Sequence, residues 1–126
     1  MKMASQYDHL PVYQNCFELL IHMCTTIHSF PREYKYTFWE NIQKYTSECL
    51  SEISLATMTW NISEKLIHIE NSRKQIELLK LYRRVCKEVN ILSNNDYSSQ
   101  LNNMVNISKQ INWWMSFCKN KDTKDG

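Results

Sequence analysis

Glycine and proline are almost missing from this chain. Of its 126 residues only the last is glycine, and only Pro11 and Pro31 are proline. Tight hairpin turns need residues such as Asn-Gly or Asp-Gly, and no such pair precedes the final two residues, so a β-rich fold would lack its turns. Both residues are costly inside a helix, and so long a span without them predicts a few long helices. Hydrophobic residues make up 43% of the chain, enough for one domain of this length to bury a core.

Pro31 marks the sharpest joint. Proline fixes its own φ and disfavours helix at the residue before it, so a first helix opening at Leu10-Pro11 should stop near Ser29 or Phe30. Its apolar positions, Val12, Cys16, Leu19, Leu20, Met23 and Ile27, recur at three and four residues. Thr37 is the expected cap of a second helix running to Trp60, with Phe38, Ile42, Tyr45, Cys49, Ile53 and Ala56 facing inward. Ser63 is the expected cap of a third, whose stripe is Leu66, Ile69, Ile76, Leu79 and Cys86, interrupted at Ser72 and Arg73. A second apolar line, Leu78, Leu81, Val85 and Val89, suggests two neighbours for its latter half, before a stop near Asn90. Ser93-Asn94-Asn95-Asp96 reads as a capping box with Asp in place of Glu. The helix it opens carries Tyr97, Leu101, Met104, Ser108, Ile111 and Met115 on one side. Short connections predict an all-α, antiparallel up-down-up-down four-helix bundle over residues 10–119, between a flexible N-terminus (1–9) and a flexible charged tail (120–126).

Several classes of function find no support in the residues. No apolar run approaches the roughly 18 to 20 residues that span a bilayer, and the N-terminus lacks the apolar core of a secretory signal. A cytoplasmic protein without membrane attachment is expected. Its five cysteines, Cys16, Cys24, Cys49, Cys86 and Cys118, lie near apolar stripes without a CxxC, and read as buried reduced thiols. In that compartment the sequons at Asn61 and Asn106 go unglycosylated. Glu18/His22 and Glu64/His68 each place a carboxylate and an imidazole one turn apart. A di-iron bundle needs Glu-x2-His and further inward glutamates, so these read as pairs on helix surfaces and no metal site is expected. No cysteine lies in a cationic or glycine-rich turn, no nucleophile elbow is present, and without internal glycine no phosphate loop forms. The chain is expected to be neither an enzyme nor a cofactor carrier.

Charge and aromatics are distributed less blandly. Net charge is only +2, yet Arg73, Lys74, Lys80, Arg83, Arg84 and Lys87 concentrate on the third helix. Glu70, Glu77 and Glu88 interleave with them as ordinary helical pairs, while Lys80-Leu81-Tyr82-Arg83-Arg84 contains no acid. Repeated in an oligomer, that run would build a sizeable positive field. Trp39, Trp60, Trp113 and Trp114 exceed what one small core takes in, since Trp113 and Trp114 diverge by about 100° on a helix. Spare surface aromatics favour an interface.

Leu10-Pro11-Val12-Tyr13, the corner Phe30-Pro31-Arg32-Glu33-Tyr34-Lys35-Tyr36-Thr37, Glu77-Leu78-Leu79-Lys80-Leu81 with Arg84-Val85-Cys86-Lys87, and Ile107-Ser108-Lys109-Gln110-Ile111 together resemble one family. It is that of the accessory variability determinant (Avd) proteins of diversity-generating retroelements, within a wider four-helix-bundle group that includes the ribosomal-RNA intervening-sequence proteins. The resemblance covers about residues 10 to 115, and the corner is its most specific part. It implies a non-catalytic partner of the retroelement reverse transcriptase, assembled as a homopentameric barrel. A basic surface of that barrel would contact the polymerase and its template RNA or cDNA during mutagenic reverse transcription. By that analogy Arg73, Lys74, Lys80, Arg83, Arg84 and Lys87 make those contacts, beside Arg32 and Lys35, while Trp39, Trp113 and Tyr36 are assigned to the oligomer interface. Trp39, Ser108 and Trp113 stand where the family usually has glycine. The alternative is a bundle of the intervening-sequence type, an oligomeric nucleic-acid or protein-binding module with no polymerase partner.

Overall fold

The computed structural model describes residues 11–25 and 31–125, excepting the side chains of 23–25, 35 and 122–125. Four long helices carry the fold: α1 (Pro11–Thr25), α2 (Glu40–Met58), α3 (Ile62–Glu88) and α4 (Asn94–Asp125). A helical turn, Arg32–Tyr34, and a π-helical turn, Lys35–Trp39, feed directly into α2. No strand occurs among the described residues. Helix α1 packs on α2 and α4, α2 on α3, and α3 on α4, which closes an all-helical bundle around one core. None of these helices is long and apolar enough to cross a membrane.

The corner departs from the expected cap at Thr37. Helix resumes at Arg32, where Tyr34 N donates to Pro31 O at 3.0 Å. Thr37 lies inside the π turn, and its Oγ1 donates weakly back to Tyr34 O (3.4 Å) instead of capping anything. A proline suits a position just before a helix because the first turn has no use for its missing N–H. The aromatics then fasten the joint: Tyr34 packs on Phe38 (5.4 Å between centroids), Phe38 meets Tyr82 edge-on (6.1 Å), and Tyr82 meets Tyr45 (5.4 Å). The expected stop of helix one near Ser29 or Phe30 falls outside the described residues, as does Ile27; Met23 and Cys24 fall among the excepted side chains.

Cap chemistry elsewhere is local and legible. Asn61, not Ser63, caps α3, its Oδ1 accepting from Glu64 N at 3.0 Å. Asparagine two residues earlier meets the orphan donors of the first turn. Helix α3 ends in a Schellman arrangement, with Asn90 at φ 65°, Ile91 N on Cys86 O (2.8 Å) and Asn90 N on Lys87 O (3.1 Å). Ser93 Oγ accepts from Asp96 N (3.1 Å), which opens α4 as the capping pattern requires. From there α4 runs on through Lys119 to Asp125.

The core joins Val12, Cys16 and Leu19 of α1 to Ile42, Cys49, Ile53 and Ala56 of α2. Ile69, Ile76, Leu79 and Cys86 of α3 complete it with Met104, Ile107, Ile111 and Cys118 of α4. Ser72 does not interrupt the α3 stripe. It is buried on it, donating to Ile69 O (2.6 Å) while its own carbonyl accepts from Cys49 Sγ (3.5 Å). The four described cysteines are buried and free. A side-chain interaction with Cys16, then burial, holds the Cys49 thiol well above its ordinary value, and burial raises Cys86 and Cys118.

Candidate nucleic-acid interface

The buried positions of α3 are Ile69, Ser72, Ile76, Leu79, Arg83 and Cys86, spaced alternately by three and four residues. Arg83 therefore points inward, with only 1% of its surface exposed. That corrects the expectation that it meets a ligand at the surface. Its Nε donates to Gln100 Oε1 of α4 at 2.6 Å, Nη2 donates to the same oxygen, and Nη1 has no partner. Burial pulls its pKa down from the ordinary guanidinium value. Guanidinium has no acceptor atom, so Gln100 must present its oxygen to Arg83 and its amide Nε2 to His22 Nε2, 3.0 Å away on α1. His22 Nε2 then accepts, which requires the neutral ring carrying its proton on Nδ1. Arg83, Gln100 and His22 thus form a polar thread through three helices.

The remaining cations divide by their partners. Arg73 grips Glu70 through Nε and Nη2 (2.9 and 2.5 Å), and that bond holds the Glu70 carboxyl below its usual range. Lys80 Nζ donates to Glu77 (3.0 Å), whose Oε1 also accepts from Ser108 Oγ of α4 (3.4 Å). Lys87 lies 3.8 Å from Glu88 and 5.6 Å over the Tyr97 ring of α4. Lys74, Arg84 and Arg32 are exposed. Lys35 falls among the excepted side chains. Helical rotation of 100° per residue gathers Arg73, Lys80, Arg84 and Lys87 on the flank of α3 that borders α4. Glu70 and Glu77 sit on the same flank and offset much of the field that the run of basic residues promised.

Of the two glutamate–histidine pairs that helical spacing suggested, Glu64/His68 gives way to a contact between helices. His68 Nδ1 meets Glu52 Oε2 of α2 at 2.6 Å, across helices, and Asn71 Nδ2 reaches the same carboxylate at 3.5 Å. No group of three His, Cys, Asp or Glu side chains placed to hold a metal occurs among the described residues.

The aromatics assigned to an interface also separate. Tyr36 is 72% and Trp113 68% exposed, while Trp39 is half-buried against the core. Trp60, in the turn between α2 and α3, is the most exposed at 96%. Trp113 stacks on Phe117, one turn further on (centroids 5.5 Å, planes 15° apart). Phe117 escaped the sequence reading, although its spacing of four from Trp113 was the available signal.

No protein-family model matches the chain, and no curated protein matches it.

Proposed function

We propose that this protein is a non-catalytic adaptor of the accessory variability determinant type, a cytoplasmic homo-oligomeric bundle that binds a reverse transcriptase and its template RNA or cDNA. The observation that carries the reading is the wording of the corner from Phe30 to Thr37, reinforced by the segments quoted from α1, α3 and α4. An up-down-up-down course is supported by the order of cross-helix partners. Tyr45 with Tyr82, Cys49 with Ser72 and Glu52 with His68 run in opposite senses along α2 and α3. Arg83 with Gln100 and Glu77 with Ser108 do the same along α3 and α4. Contacts to polymerase or template fall to Lys74, Arg84 and Arg32, with Arg73, Lys80 and Lys87 available once they exchange a glutamate for a phosphate. A pentamer would repeat this flank five times and draw on exposed aromatics such as Tyr36.

The test pairs genome context with binding. A reverse-transcriptase gene and a template/variable repeat pair should lie beside this gene, and that polymerase should co-purify with the protein. The triple reversal K74E, R84E and K87E should abolish co-purification while helical circular dichroism is unchanged. Binding that survives would place the interface elsewhere. The carboxylates paired with Arg73, Lys80 and Lys87 favour a second reading, an intervening-sequence type of bundle with no polymerase partner. Absence of a neighbouring polymerase gene would select it.

A further inference from the structure

From Tyr97 to Lys121 helix α4 contains three lysines and no acid. Two of those lysines frame the stacked aromatics: Lys109, Trp113, Phe117 and Lys121 follow one another at four-residue intervals, all exposed. Side chains at that spacing form a continuous ridge on a helix, here about 18 Å long. Beside the ridge lies an almost wholly apolar groove of about 400 Å³, walled by Pro11 and Val12 of α1 and by Gln110 and Trp114. Both stacked rings remain more than half exposed.

The geometry points to a binding platform for single-stranded nucleic acid, with bases stacking on Trp113 and Phe117 and phosphates meeting Lys109 and Lys121. Planar aromatics with flanking cations on an acid-free stretch of helix match the two parts of a flexible polyanion, its base faces and its backbone. A second copy of the chain fits less well, because a two-fold contact along this ridge would bring four lysines together with no carboxylate between Tyr97 and Lys121 to meet them. A bilayer fits less well too, because exposed Asn106, Asn112, Ser116 and Asn120 border the ridge where an apolar face would be needed. Duplexes bury their base faces, so the platform should prefer single strands. The proposal shares with the reading above only the class of ligand and uses none of the α3 residues, so the two fail separately.

Fluorescence anisotropy of a labelled oligothymidylate, against its duplex with oligoadenylate, tests the platform. The native protein should bind the single strand more tightly. Trp113→Ala or Phe117→Ala should each weaken it about 5- to 150-fold, and Trp113→Phe should restore most of the loss. Lys109→Gln with Lys121→Gln should lower the slope of log K against log salt by about 0.7 per lysine. Equal binding of strand and duplex, or wild-type binding by Trp113→Ala, would overturn the proposal. So would a drop in the mass of the assembly on Trp113→Ala, which marks a contact between copies. Binding of phosphatidylserine vesicles in place of the oligonucleotide would overturn it in favour of a membrane.

Discussion

Arg83 occupies a position in the α3 heptad where a leucine would ordinarily sit. Its charge feels the Asp96 carboxylate only at a distance; a neutral amide oxygen accepts from two of its nitrogens, and the third is unmatched. A desolvated cation held this way stabilises little, while removing its acceptor leaves it stranded. Gln100→Ala should therefore cost about 3 kcal/mol in urea unfolding. The double variant Arg83→Met with Gln100→Leu should be as stable as the native chain, or about 1 to 4 kcal/mol more so. Loss of stability in the double variant would show that the thread to His22 does more than fill space. Sequence reading sent Arg83 to the surface because arginine is rarely buried. The alternation of three and four through Ser72 and Arg83 was nevertheless present in the chain.

At the scale of elements, caps decide where helices begin and end, and they depend on one or two side chains. Asn61→Ala should destabilise the fold by about 1 kcal/mol, whereas Thr37→Ala should change it by less than about 0.5 kcal/mol, because Thr37 caps nothing. Equal costs at the two sites would restore Thr37 as a cap. Asn90 holds a left-handed conformation that glycine adopts without penalty, so Asn90→Gly should raise the thermal midpoint and Asn90→Ala lower it. The stops and starts around residues 60, 90 and 93 were legible to within about two residues, since their signals are local. The corner was not, because its π turn answers to Tyr82 and Tyr45, more than forty residues and about ten residues away.

On the scale of the whole molecule, burial sets the chemistry of the cysteines. Raised pKa values at Cys49, Cys86 and Cys118 keep those thiols protonated at neutral pH, so the nucleophilic thiolate forms only at higher pH. In the native protein Cys49, Cys86 and Cys118 should react slowly with iodoacetamide at pH 8, and urea-unfolded protein should expose five thiols to a colourimetric thiol titration at the rate of free cysteine. Rapid labelling of the native protein at Cys49 would contradict the packing of α2 on α3. Composition and periodicity alone determined that the chain is helical, that four long segments form, and the main apolar stripe of each. The second apolar line expected on α3 instead faces water, with Leu78, Leu81 and Val89 exposed. Scarcity of helix breakers and a 3.6-residue rhythm are properties of single segments, readable without their neighbours. Tertiary structure decided which polar residues enter the core, which cations keep a carboxylate, and which aromatics stay in water. Rotation of each helix about its axis settles those choices, and neighbouring helices set that rotation. The basic run of α3 thus divides into one buried arginine, three cations with acidic neighbours and the exposed Lys74 and Arg84, while the acid-free ridge of α4 emerges as the open surface.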